Sequence, residues 1–245
     1  MIMVTIDANE MHYKVLNEKI RALAANGTDR IEIDNVCGQK FIGDGLKGKV
    51  KIDIKGIPGN DLAVFMDGPE LTVHGNGQDN IGNTMNAGKV IIHGNAGDVI
   101  GYAMRGGEIF IKGDVGYRVG IHMKAFKENL PTIVIGGGAS DFFGEYMAGG
   151  IMVVLGIDKD GQFLGDYLGS GMHGGVIYIR GEVDGNLLGR DVLKSKPGPE
   201  DAETLSKLVR EYCKLFGYDY EEIMKKPFIK LTPKSHRPYG NLYAK

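Results

Sequence analysis

The chain has 245 residues, 39 of them Gly against 8 Pro and 2 Cys, with 29 basic and 31 acidic side chains. So little Pro excludes collagen, and 42% hydrophobic residues with a net charge of −2 exclude a disordered chain. The balanced charge offers no basic patch for nucleic acid or an anionic membrane, and apolar runs such as 151–155 fall far short of the ~20 residues of a membrane span.

In chain order, residues 1–36 read as a strand–helix–strand cap. A strand is expected over 3–6 and a helix over about 9–25, with Tyr13, Leu16, Ile20 and Leu23 on one face and Gly27 as its stop. A second strand is expected over 31–36. The N-terminus lacks a basic and apolar signal pattern, so a cytoplasmic location is expected.

Residues 37–190 carry a repeat. IDIKGIPGNDLAVFM, LTVHGNGQDNIGNTM, VIIHGNAGDVIGYAM and IFIKGDVGYRVGIHM fall into register at a period of nineteen residues, and IVIGGGASDFFGEYM follows after five more. One Gly column, Gly56, Gly75, Gly94, Gly113, Gly137, Gly156 and Gly181, closes each β-branched triplet. A second, Ala63, Gly82, Gly101, Gly120, Gly144 and Gly169, lies seven residues on for most copies. The first and third triplet positions are apolar throughout, from Ile52 to Ile177 and from Ile54 to Ile179. Met66, Met85, Met104, Met123, Met147 and Met172 form a further column.

A unit this short buries almost nothing alone and must stack. Stacking at the strand spacing of ~4.8 Å turns the columns into parallel sheets around one core. The predicted fold is therefore mainly β: a right-handed parallel β-helix of about seven rungs, with α-helical terminal segments. The Gly columns should mark corners that need positive φ or close backbone approach. In residues 191–245, Pro199 and the helical spacing of Leu205, Leu208, Val209, Tyr212 and Phe216 predict a helix over 199–216, ended by Gly217. A short helix is expected after Asp219, then an extended arm from Pro227 through Pro233 and Pro238.

The candidate chemistry is sparse. Asp79 and Asp98 share a column and could pair as acids in a polysaccharide-cleaving β-helix, but the column runs Asn60, Asp79, Asp98, Tyr117, Asp141, and turn residues bonding their own backbone explain it better. His74 and His93 stack between Lys55 and Lys112, which suits a solvated ladder rather than a metal site. His122 and His173 adjoin the Met column without a partner at ligand spacing, and the Met column itself reads as core. The string from Gly75 to Gly82 is a repeated corner with no helix after it, so it is not a phosphate loop. No catalytic, cofactor or metal residue is assigned.

The G-x6-G repeat and the block Gly144-Glu-Tyr-Met-Ala-Gly-Gly-Ile-Met-Val-Val-Leu-Gly156 resemble the C-terminal β-helix domain of the glutamate synthase large subunit. The block from Gly169 to Gly181 resembles its continuation in free-standing form, and the resemblance covers about residues 31–190. It implies a non-catalytic scaffold subunit. The implied partners are a glutamine amidotransferase subunit and a synthase subunit carrying FMN and iron–sulfur clusters, with no cofactor in this chain. A similar repeat occurs in the C subunit of formylmethanofuran dehydrogenase, which is the alternative.

Strand alternation turns the middle triplet residue outward. Asp53 and Thr72 give way there to Ile91, Phe110, Val134, Val153 and Tyr178, an apolar stripe about 20 Å long that water should not be left to cover. The first expectation is the segment 199–216, or the N-terminal helix, folded back over it. The second is a partner subunit.

Overall fold

The computed structural model describes residues 2–236. Strands β1 (Met3–Asp7), β2 (Arg30–Cys37), β3 (Lys51–Ile57), β4 (Asp67–Val73) and β5 (Ala87–Ile92) lie side by side in chain order, each parallel to the next. β6 (Glu108–Ile111), β7 (Thr132–Ile135), β8 (Ala148–Val154) and β9 (Gly174–Arg180) continue the same sheet. The fold is a parallel β-solenoid, mainly β, as the repeat predicts. The repeat strands β3 to β9 are joined by six turns of the coil, against the about seven rungs expected.

The register is the one the columns require. Ile52, Leu71, Val90, Ile109, Ile133, Met152 and Ile177 are successive ladder partners, as are Ile54, Val73, Ile92, Ile111, Ile135, Val154 and Ile179. All are buried in one core with the Met column and with Leu62, Ile81, Ile100, Val119, Phe143 and Leu168. Each fully buried chain of this size contributes roughly 1.5–3 kcal/mol, so the ladder as a whole drives the coiling.

Helix α1 (Tyr13–Ala25) closes the N-terminal end of that core. Leu16 and Ile20 join the cluster, and the buried Asn17 amide donates to the carbonyls of Tyr13 and Lys40, both at 2.9 Å. The helix starts later than the apolar spacing predicts. Asn9 N–H bonds Asp7 Oδ1 at 3.0 Å and Glu10 takes φ +55°, so the chain makes a turn before His12 caps the helix.

The corners explain the glycines in two ways. Gly101 adopts φ +70°, and a Cβ there would lie 2.4 Å from Ile133 Cδ1, so it needs both the left-handed backbone and the inward space. Gly113 belongs to the other column and needs only closeness: a Cβ would sit 2.0 Å from Asn95 Oδ1 of the preceding rung. Around the Gly101 position the backbone alternates. Val99, Gly101 and Ala103 all have positive φ, and so do Arg118, Gly120 and His122, and Phe142, Gly144 and Tyr146.

The flanking residues are not Gly, so composition conceals this. A left-handed non-Gly residue costs roughly 1–2 kcal/mol, which bonds to the next rung offset: Val99 N–H to Tyr117 O at 2.8 Å, Arg118 N–H to Asp141 O at 3.0 Å, Phe142 N–H to Asp166 O at 2.9 Å.

Helix α2 (Pro199–Phe216) matches the predicted span and lies across the outer stripe. Phe110, Val134, Val153 and Tyr178 form one buried cluster with Leu205, Leu208, Val209, Tyr212 and Cys213. Ile91, at the early end of the stripe, is also buried. The stripe is thus covered within the chain, and by the C-terminal helix rather than by α1.

Polar groups fix the angle of α2. Tyr212 Oη donates to Lys112 O at 2.9 Å, and Lys89 bridges Glu108 at 3.1 Å and Glu211 at 2.7 Å. At the helix start, Asp201 accepts from Gly198 N–H at 2.7 Å, from Lys230 at 2.8 Å and from Tyr178 Oη. Burial pushes the Asp201 carboxyl up, but these donors outweigh it and hold it below the usual range. After the short α3 (Tyr220–Met224), capped by Asp219, strand β11 (Phe228–Pro233) runs antiparallel to both β9 and β10 (Val192–Ser195). The arm expected from Pro227 therefore begins as a strand that covers the open edge of β9. Its continuation from residue 237, with Pro238, lies outside the described residues.

Candidate functional site

Asp79 and Asp98 do occupy neighbouring rungs, but their carboxylates are spent on the scaffold. Asp79 Oδ1 accepts from Asp98 N–H and Asp98 Oδ1 accepts from Tyr117 N–H, each at 2.9 Å. The bonds run to the backbone of the next rung, not to the residue's own turn as the sequence suggests, because the coil brings position i+19 closer than i+2. Asp141 does the same for Asp166 N–H at 2.9 Å. A parallel ladder runs beside it: Asn76 Oδ1 to Asn95 N–H and Asn95 Oδ1 to Asp114 N–H, each 2.9 Å, then Asp114 Oδ1 to Gly138 N–H at 2.8 Å. Burial raises the Asp114 carboxyl, yet the Gly138 N–H and Lys159 bring it below its ordinary value.

These side chains are acceptors holding rung to rung, with no general base poised on a reacting atom. Asn keeps the Oδ1 acceptor, so D79N/D98N is expected to unfold in urea within about 1 kcal/mol of wild type. D79A/D98A should lose about 1 kcal/mol per missing bond. Equal losses in both variants would mean that the charge, not the acceptor, matters.

His74 and His93 stack with ring centroids 5.3 Å apart, and Asp53 lies 3.3 Å from His74 Nε2. His93 packs edge-on against Phe216 at the end of α2. Burial, then His74 and Lys112, push its imidazole below the ordinary value. Among the described residues no three His, Cys, Asp or Glu side chains are grouped to hold a metal ion. Cys37 is exposed on β2, and Cys213 is buried in α2 with its thiol pushed up by burial, so the two do not suit an iron–sulfur cluster, which takes four thiolates.

The adjoining corner positions carry the richer surface, and the repeat did not reveal it. Arg118 lies 5.0 Å over the Phe142 ring, which stacks on Tyr167 at 4.9 Å, and Arg118 also pairs with Glu145 at 3.0 Å. His122 stacks on Tyr146 at 5.3 Å with Tyr102 edge-on at 5.9 Å. Both stacks stand on the left-handed corner positions, whose side chains point out of the coil. His173 lies beside the second of them. The sequence signal was the aromatic content of columns one residue before the core positions, 118, 142, 167 and 122, 146.

None of the described helices is long and apolar enough to cross a membrane. The GXGXG motif family model matches residues 6–234. An uncharacterized protein of Methanocaldococcus jannaschii is 50% identical over 98% of this chain and 96% of its own length. Ferredoxin-dependent glutamate synthase 2 of Synechocystis is 27% identical over 70% of this chain, which spans only 11% of that protein. Among solved structures, a chain of the formyltransferase/hydrolase complex of Methylorubrum extorquens with methylofuran has a TM-score of 0.64 at 23% identity, covering 85% of this chain and 74% of that one. The solenoid, its corner glycines and a match over nearly the whole length agree: the chain belongs to the GXGXG motif family.

Proposed function

We propose that this chain is a non-catalytic structural subunit of a multi-subunit enzyme, a rigid solenoid on which catalytic partner subunits are assembled. One observation carries this reading: the polar columns that could have been catalytic, Asp79, Asp98, Asn95 and Asp114, are engaged as rung-to-rung acceptors. Outward-facing aromatic and Arg side chains, the residue types enriched at interfaces, line the corner face instead.

Two complexes fit. A glutamate synthase would supply a glutamine amidotransferase and a synthase subunit bearing FMN and iron–sulfur clusters, and would form glutamate from glutamine and 2-oxoglutarate. The Synechocystis relative and the Gly144–Gly156 block support that setting. A formyl-transferring complex, with this chain in the place of the C subunit of formylmethanofuran dehydrogenase, is favoured by format: the Methylorubrum chain is comparable in size, whereas the glutamate synthase match is a small part of a much larger protein.

The test is to purify the tagged full chain from its native host and assay what accompanies it. Flavin absorbance with glutamate formation would establish the first setting, and formyl-transfer activity the second. A chain that purifies alone and cleaves polysaccharide, with D79N/D98N inactive, would overturn the scaffold reading.

A further inference from the structure

We propose that an open cavity on the aromatic corner face binds a small ligand bearing oxyanions, either a di- or tricarboxylate or a phosphate ester. The site shares its His122–Tyr146 wall with the face assigned above to assembly, and its test reads ligand binding by the chain itself rather than assembly. The cavity, of about 640 Å³, is lined by His122, Lys124, Tyr146, His173 and His236 over a floor of Ala148, Gly174 and Gly175. That volume lies in the range typical of small-molecule sites, roughly 300–1,000 Å³.

The repeat builds the cavity. The residue after each core Met forms its own column, and over three rungs it reads Lys124, Ala148, His173, joined by Ala148 N–H to Met123 O and His173 N–H to Met147 O, both at 2.8 Å. The small Ala148 between two longer basic side chains leaves the gap. The adjacent column reads His122, Tyr146, Gly171. Its first two rings stack with planes 11° apart and form one wall, and the missing side chain at Gly171 admits the Tyr146 ring, because a Cβ there would lie 2.6 Å from it. His236, arriving from the far end of the chain, sets its Nδ1 3.3 Å from His173 O and forms the rim.

The chemistry of the lining selects the ligand. Imidazole, ammonium and phenol groups converge with no carboxylate among them, and Lys124 has no acidic partner among the described residues. The neighbouring cavities are different: one places Asp114 and Asp141 with Lys159, and another places Asp158, Asp219 and Glu222 with Arg180. Charges of both signs in those clefts can satisfy one another. In the His122 cavity the cationic and N–H donors lack that compensation, and an oxyanion supplies it through charge-assisted hydrogen bonds. The stacked wall gives any planar part of the ligand an apolar surface. Among the described residues the imidazoles are not grouped to hold a metal ion.

Titration calorimetry of the full chain at low ionic strength, with citrate in one arm and pyrophosphate in the other, tests this. Saturable binding of at least one probe is expected, and the tighter arm separates carboxylate from phosphate. In K124A/H173Q the binding should weaken at least about tenfold, the loss of a charge-assisted bond or more. H74Q, which removes an exposed imidazole outside the cavity, should leave it unchanged. Histidine-ring NMR signals of His122 and His173 should move on titration while that of His74 stays. The proposal is overturned if neither probe binds at millimolar concentration, if the double variant, folded by circular dichroism, binds as wild type does, or if H74Q weakens binding equally.

Discussion

Ile111→Asp is expected to leave no soluble, cooperatively folded protein. Ile111 is fully buried on β6 between its ladder partners Ile92 and Ile135, in the core that runs the length of the solenoid. A carboxylate there has apolar neighbours above, below and across, and an unpaired buried charge costs more than the roughly 5–15 kcal/mol of stability of an ordinary domain. Protonating the carboxyl would lower the cost but still leave an unsatisfied polar group. A solenoid also transmits such damage, since each rung is held mainly by its neighbours. Ile111→Val serves as the control, with an expected loss of about 0.5–1.5 kcal/mol in urea denaturation. A soluble, cooperatively unfolding Ile111→Asp protein would mean that the third triplet position does not face the core.

Phe110→Ala should cost roughly 3–5 kcal/mol, and Phe110→Asp more, although this residue points to the other side of the same strand. Phe110 is fully buried because α2 covers it, and Lys89 lies 5.3 Å over its ring. The measurement is the urea midpoint together with hydrogen exchange in α2, which should lose protection in step with the global transition if the helix is integral to the fold. Val209→Asp, on the helix side of the same cluster, should reproduce the effect. If both variants kept wild-type stability and lost only their co-purifying subunits, the stripe would be a partner face and the docking of α2 on it would be incidental.

Acid should loosen α2 from its N-terminal end. The Asp201 carboxyl is held below its unfolded value of 3.8, so the stability it contributes is present above that pH and is lost as the pH falls through its lower folded value. Lys230, Tyr178 and the Gly198 N–H then lose a charged acceptor together.

The nineteen-residue columns determined most of the fold without any structure, for a physical reason: residues in equivalent positions of a solenoid share one environment, so their chemistry repeats. That is why Ile52 to Ile177 could be read as ladder partners, why the Met column could be read as core, and why five outward apolar residues demanded a cover. The span of α2 was legible too, from Pro199, Gly217 and the apolar spacing between them.

Only the tertiary structure decided the rest, because those features depend on contacts between residues that no local pattern relates. Positive φ at Val99, Arg118 and Phe142 is enforced by bonds to the next rung, not by residue type. The carboxylates of Asp79 and Asp98 reach that rung because coiling, not chain proximity, makes it their neighbour. The choice of α2 over α1 as the cover follows from where each helix leaves the coil, α1 closing one end while α2 returns along its side. His122, Lys124, His173 and His236 surround one space only because three rungs and the segment after β11 meet there.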